Sequence, residues 1–396
     1  MTDPDALLTA DDVGSIYREF LEREPVEGEV ELQMAACKTK RQLLDLVRAS
    51  EEYEVRLRAR GQAAVVPDRP RVNIWRPELA AWTHPPGTVS ADDIAIVGRE
   101  GWIFIKSGTN STLVQHRGEH PPSAAWLDAW MAGLRVRRRE ARELGVGLAC
   151  VVVPDKLAIH EEHFPEKIEP IGPRPALRLQ ERAGDKLVYP LRELRAARAH
   201  GDVAMRVDTH LTVHGNRVLA NAVLRELGTP PLDASPHAPL TEYLHSGDLG
   251  SRFNPQIVEV GRVVGTYGGA DVVADNRDAI NAVDGHVGTL RVLRNATAPD
   301  PRVAVFFGDS YGFPAPYYQG LAWWLAQVFA EVHFVWVPFG WDPAYLRDAG
   351  AGVVVCQTAE RFVGRVPFDR VDARALGRDT IASGRPAGLD TFCRAV

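Results

Sequence analysis

Near the N-terminus, apolar positions recur at helical spacing. Ile16, Phe20 and Leu21 follow Asp11 and Asp12, whose carboxylates suit a helix start, and Pro25 ends the run. A second helix is predicted over Glu29 to Ala36. A third spans Thr39 to Ala49 with Leu43, Leu44 and Val47 on one face, and a short fourth starts at Ser50. Residues 1–62 therefore read as a small helical domain. Periodicity then stops: Pro67, Pro70, Pro77, Pro85 and Pro86 mark residues 63–92 as a linker, draped over its neighbour through Trp75 and Trp82.

From Asp93 the pattern changes to α/β. Ala95 to Val97 and Trp102 to Ile105 flank the turn Arg99-Glu100-Gly101 and predict a hairpin. Ser123 opens a long helix with Leu127, Trp130, Met131 and Leu134 on one stripe, closing at Gly145. Val146 to Val153 is continuously apolar, as in a strand buried on both faces. A helix follows from Gly215 to Leu227. Residues 232–300 are weakly periodic and predict a mixed insertion of short strands and loops. Arg302 to Phe307, Val332 to Val337 and Gly352 to Cys356 read as strands, with a helix over Pro316 to Phe329. Strands alternating with helices predict an α/β domain over residues 93–396, a mostly parallel sheet flanked by helices.

Composition narrows the function classes. The 396 residues are 45% hydrophobic and 25% charged with a net charge of −6, so no basic field exists to hold nucleic acid or an anionic membrane. Residues 1–60 hold 14 acidic and 9 basic side chains, an imbalance that suits a docking module for a protein partner. Cys37, Cys150, Cys356 and Cys393 form no metal or disulfide pattern. The start, MTDPDALLTADD, lacks a basic region and apolar run, so a cytoplasmic protein is expected. The apolar window Gly320 to Trp341 contains Gln327, Glu331, His333 and Pro338, which fits a helix and a strand better than a membrane span.

The chemistry concentrates in two places. The strand Val303 to Phe307 runs into Gly308-Asp309-Ser310-Tyr311-Gly312, which sets Ser310 just outside the carboxyl end of a parallel strand. Backbone N–H groups there can stabilise an oxyanion. The plain alternative is a serine that caps a turn. About a hundred residues upstream, Asp208-Thr209-His210 offers a base and the carboxylate that would orient it. Asp208 as a helix cap is one alternative. Another is a metal set of Asp208, His210 and His214, disfavoured because a fourth ligand is missing.

These residues resemble a family: the SGNH-hydrolase-like domain of the alginate O-acetyltransferase proteins and their relatives in bacterial polysaccharide gene clusters. The resemblance also rests on Gly98-Arg99-Glu100-Gly101-Trp102-Ile103-Phe104, Val153-Pro154-Asp155-Lys156, Ser246-Gly247-Asp248-Leu249 and Ala359-Glu360-Arg361-Phe362. It implies an SGNH-like (flavodoxin-like) fold with circularly permuted motif order, Ser310 as nucleophile, His210 as base and Asp208 as its orienter. Leu211 stands where the family usually has Trp, and family members are typically exported. Residues 1–62 resemble a small helical domain of unknown function, through Tyr17 to Pro25 and Ala49 to Tyr53.

The resemblance implies an O-acetyltransferase acting on a sugar hydroxyl through an acyl-serine, with an acyl donor and a carbohydrate acceptor as partners and no cofactor or metal. An esterase with the same triad and a non-catalytic glycan-binding protein are the alternatives. Tyr311, Gly340, Gln357 and Lys156 are further candidates for oxyanion or substrate contact. Glu360 with Arg361 reads as a structural ion pair, Arg135 to Arg139 as a solvated face, and Trp323 and Trp324 as core, with one able to stack on a sugar ring.

Overall fold

The computed structural model describes residues 6–26, 28–48, 84–108, 111–232, 240–254, 256–264, 270–314 and 319–394. The helix expected from Ser50, and the linker up to residue 83 with Trp75 and Trp82, lie outside the described residues. The N-terminal helices Ala10–Ile16, Glu29–Ala36 and Lys40–Arg48 close on a small core of their own that includes Val13, Leu21, Leu43 and Val47. Thr9 rather than Asp11 caps the first of them: its hydroxyl accepts the Asp12 amide while the Asp12 carboxylate accepts the Thr9 amide.

The expected hairpin forms from β1 (Ala95–Val97) and β2 (Ile103–Ile105). β3 (Gly147–Val153) follows the long helix Ala124–Leu144. Next come β4 (Leu240–His245) and β5 (Glu259–Val264), an antiparallel pair apart from the main sheet, and then β6 (Ala270–Asp275) and β7 (Leu290–Asn295). The last strands of the main sheet are β8 (Asp300–Gly308), β9 (Phe329–Trp336) and β10 (Ala351–Ala359). That sheet has the order β3-β10-β8-β9-β7-β6. Its first four strands are parallel, β7 runs antiparallel to β9, and the edge strand β6 runs antiparallel to β7. Residues 270–295, within the stretch read as a mixed insertion of short strands and loops, thus add two strands to the central sheet.

Within the apolar runs, alternate residues enter different cores. Val151, Val153, Ala304, Phe306, Val332 and Phe334 face one side, with the helices Val213–Glu226 and Leu321–Leu325. Cys150, Val152, Val305, Phe307 and Val354 face the other, under the helix Ala124–Leu144. Both sides exclude water, which is why these strands read as unbroken apolar stretches. Among the described residues the helix after the serine turn is Leu321–Leu325; Phe329, expected to close it, already belongs to β9, and its expected start at Pro316 lies outside the described residues. The run Arg135 to Arg139 is not wholly a solvated face. Arg137 is 1% exposed and donates to the carbonyls of Gly133, Phe339 and Phe368, and Glu140 accepts from Trp341. Trp324 is buried in the core and Trp323 packs against it. No helix among the described residues is long and apolar enough to cross a membrane.

Chain order sets where a site can open. From β8 the chain crosses to β9 through Leu321–Leu325 on one face. It then passes through Pro343–Asp348 on the other face to β10, on the opposite side of β8. Where successive connections turn to opposite sides of a strand, the carboxyl end of the sheet opens a crevice. Ser310 sits there. Phe306, central to this sheet and fully buried, measures how far the fold depends on it. Phe306→Ala is expected to lower the unfolding free energy by about 3–5 kcal/mol, read by chemical denaturation.

Candidate active site at the carboxyl end of the sheet

The serine turn is fastened by the residue before it. Asp309 is 2% exposed, and its Oδ1 accepts the Tyr311 amide at 3.1 Å and Nε2 of Gln357 at 2.8 Å. Its Oδ2 accepts the Ala359 amide at 2.6 Å, and its own amide donates to Oε1 of Gln357 at 3.0 Å. The carboxylate therefore ties the end of β8 to the end of β10. Burial raises the Asp309 pKa, and the donors around it pull the other way. Gly312 N–H closes the turn on the Asp309 carbonyl, and Ser310, half-buried, stands at its corner.

The second motif is carried by a segment that belongs to no strand. Lys156, 5% exposed, donates from Nζ to the carbonyls of Met205 (3.0 Å), Arg206 (2.9 Å) and Asp208 (2.7 Å). Burial lowers the Lys156 pKa to about 8, against the pull of Asp248, Glu259 and Asp208. Glu259 accepts the amides of Arg206 and Val207, and Asp248 accepts the amide and hydroxyl of Thr209. Gly247 follows from this crowding. Its φ is +59°, and a Cβ there would lie 2.5 Å from the Cβ of Asp208.

Asp208 has no solvent exposure, and His210 is 8% exposed. Oδ1 of Asp208 accepts the His210 amide at 2.8 Å and lies 2.6 Å from Nδ1 of the same residue. Oδ2 accepts the Asp248 amide at 3.1 Å and lies 2.9 Å from Nε2 of His245. Burial works against the Asp208 charge, but the two imidazoles hold its pKa well below the usual carboxylate range. For His210 burial disfavours the cation, while Asp208 and, more weakly, Asp248 carry its pKa above the ordinary value. With a proton on Nδ1 for Asp208, the basic lone pair of neutral His210 is on Nε2.

Tyr311 joins the two motifs. Its hydroxyl donates to the Thr209 carbonyl at 2.6 Å, and its ring centroid lies 5.1 Å from that of His210. Arg361 reaches the Tyr311 hydroxyl at 3.3 Å and pairs with Asp155 at 2.8 Å. Glu360 accepts the Asp155 amide and the Tyr189 hydroxyl and pairs with Arg174. Glu360 and Arg361 are thus structural, as expected, but each pairs with a partner other than its neighbour. A groove of about 410 Å³, lined by Gln115, His120, Trp126, Arg361 and Phe362 among others, adjoins this cluster.

The structure brings Asp208 and His210 together and sets the turn that carries Ser310 beside them. Of the other four candidates, Gln357, Lys156 and Tyr311 brace the site, and Gly340 bonds within its own loop and to β10. Gln357 is spent on Asp309, and Lys156 on three carbonyls. The Tyr311 amide and hydroxyl go to Asp309 and Thr209. The Gly340 amide goes to the Val337 carbonyl, and its own carbonyl accepts Sγ–H of Cys356. His214 lies 3.1 Å from the Ala197 carbonyl through Nε2, away from Asp208. Asp208, His210 and Asp248 do approach as a metal set would, but hydrogen bonds from Thr209, His245 and the Asp248 amide occupy their oxygens. Leu211, where the family usually has Trp, is 1% exposed and belongs to the core. His245 and Glu259 had no motif to mark them. Asp248 sat in a quoted motif without a role.

The fold and this end of the sheet define an SGNH hydrolase-like α/β domain. The family described as "SGNH hydrolase-like domain, acetyltransferase AlgX" matches residues 95–312, and the chain belongs to that acetyltransferase family. Among solved structures, the O-acetyltransferase domain of Pseudomonas putida AlgJ is 18% identical with a TM-score of 0.43, over 73% of this chain and 99% of that one. Bacillus cereus PatB1 with a sulfonyl adduct is 11% identical (TM-score 0.46, 71% and 99% covered), and Pseudomonas aeruginosa AlgX is 15% identical (TM-score 0.42, 78% and 68% covered). No curated protein matches the chain.

Gly247→Ala tests the close approach to Asp208. The forced side chain at positive φ, set against the carboxylate, is expected to remove about 1–3 kcal/mol of stability, seen as a lower Tm than wild type.

Proposed function

We propose that the chain transfers an acetyl group to a carbohydrate hydroxyl through an acyl-serine at Ser310. The observation that carries this reading is the buried carboxylate of Asp208 2.6 Å from Nδ1 of His210, beside the turn that presents Ser310. His210 takes the Ser310 hydroxyl proton on Nε2 as Oγ attacks the acyl carbonyl, and returns it to the leaving group. The acceptor hydroxyl then gives its proton to the same nitrogen as it attacks the acyl-serine, and His210 passes that proton to Ser310 Oγ as the serine–acyl bond breaks, which restores the hydroxyl and the neutral base. The bonds of the turn engage the amides of Tyr311, Gly312 and Phe313, which leaves the Ser310 amide as the turn's donor to the oxyanion. Family membership supports acetyl as the group moved, and the groove beside Arg361 offers room for an acceptor.

Turnover of p-nitrophenyl acetate by wild type, Ser310→Ala and His210→Ala, with and without a short oligosaccharide, tests this reading. Each substitution is expected to lower kcat at least about a thousandfold. Mass spectrometry should find the sugar heavier by an acetyl group. Acetate release alone would make the protein an esterase, and Ser310-independent turnover would end the triad reading. The base must be neutral and its pKa is raised, so activity should be lost as pH falls, with a midpoint above that of an ordinary imidazole at about 6.5.

A further inference from the structure

Asp208 is gripped on both oxygens by imidazoles. His210 takes Oδ1, and Nε2 of His245 lies 2.9 Å from Oδ2. His245 ends β4 opposite Glu259 of β5, and its side chain is 12% exposed. Rotating the Asp208 carboxylate would break its contact with one imidazole or the other. A base oriented by a carboxylate depends on that carboxylate staying in plane with it, so the second imidazole bears directly on the first.

We propose that His245 is a positioning residue for the Asp208–His210 pair: it fixes the carboxylate plane and sets how much of the Asp208 charge His210 feels. The catalytic part of this inference rests on reading His210 as the base. Among the described residues, the charged groups that act on His245 are Asp208, Asp248 from the turn after β4, and Glu259 from β5, with His210 on the other oxygen of Asp208 and Lys156 donating to the Asp208 carbonyl behind them. Burial opposes a charge on His245, but Asp208, Glu259 and Asp248 raise its pKa above the ordinary value. The two histidines therefore compete for one carboxylate, and a proton on either weakens the hold on the other. A proton on His245 thus makes His210 less basic than Asp208 alone would make it.

His245→Gln keeps a side-chain N–H donor and removes the charge, whereas His245→Ala removes both. Imidazole NMR of His210 reads the coupling without need of turnover. Its titration midpoint is expected to rise by about half a pH unit or more in both variants. Turnover of p-nitrophenyl acetate then separates the two roles. In Ala, kcat should fall about tenfold with KM little changed. In Gln, kcat should recover at high pH, while the acid limb of kcat/KM stays displaced upward. Folded variants, checked by circular dichroism, whose His210 midpoint and kcat both match wild type would overturn the proposal. Wild type without Ser310-dependent turnover would instead overturn the catalytic reading, and the NMR midpoints would still decide whether His245 acts on His210 through Asp208.

Discussion

A chain segment that runs outside every strand must still satisfy its peptide groups, and the site depends on how Met205 to His210 does so. Lys156 supplies the donors for three of its carbonyls and Tyr311 the donor for a fourth. The amides of Leu249 and Gly250 meet the Val207 carbonyl, and the Ile103 amide meets that of Arg206. Glu259 and Asp248 accept the amides of Arg206, Val207 and Thr209. Buried peptide groups are nearly always paired, so this accounting is a condition for the segment to exist in this shape. The groups that meet it come from five separated places in the chain: Ile103, Lys156, Asp248 to Gly250, Glu259 and Tyr311. The Asp208 and His210 side chains inherit their placement from that arrangement.

The serine side obeys a similar constraint. Asp309 and Asp155 are carboxylates taken out of water beside the strand ends: Asp309 accepts from the Tyr311 and Ala359 amides and from Gln357, and Asp155 accepts from Arg361 while its own amide donates to Glu360. Pairs of this kind contribute little net stability, but removing one partner strands a buried charge at a cost of about 3–5 kcal/mol. Their effect is therefore geometric. Asp309 locks the β8 turn against β10, and Arg361 reaches from the end of β10 to the Tyr311 hydroxyl. Because that hydroxyl also holds the Thr209 carbonyl, the two motifs cannot move independently.

How much of this was legible follows from the range of each interaction. The β1–β2 hairpin, the helix Ala124–Leu144 and the parallel strands were readable, because caps, turn residues and apolar runs are local. Ser310 was legible as a residue outside a strand end, and Asp208 with His210 as a carboxylate two residues from a base. The end of the helix Leu321–Leu325 was placed too late, because an apolar run shared by a helix and a strand carries no boundary of its own. The roles of Gln357, Lys156 and Arg361 were not legible. Their partners lie about 50 residues away or more, and nothing in their immediate neighbours names an aspartate or a carbonyl. Arg137 failed for the same reason: a basic run on a helix reads as solvated until the carbonyls of Phe339 and Phe368 are brought against it.

A general base must be basic enough to take a proton yet neutral when substrate arrives, and proteins meet both demands by opposing fields. Asp208 and Asp248 raise the His210 pKa, whereas burial and Arg361 restrain it. Arg361 is also the cation bonded to Tyr311, the residue that follows Ser310. One guanidinium thus serves two ends: it braces the turn that carries the serine, and its charge limits how strongly the neighbouring imidazole holds a proton. Asp155 in turn fixes Arg361, and burial pushes the Asp155 pKa up to about 6 even beside that cation. The placement of the serine turn and the proton affinity of His210 therefore both depend on Arg361, which the Asp155 carboxylate holds.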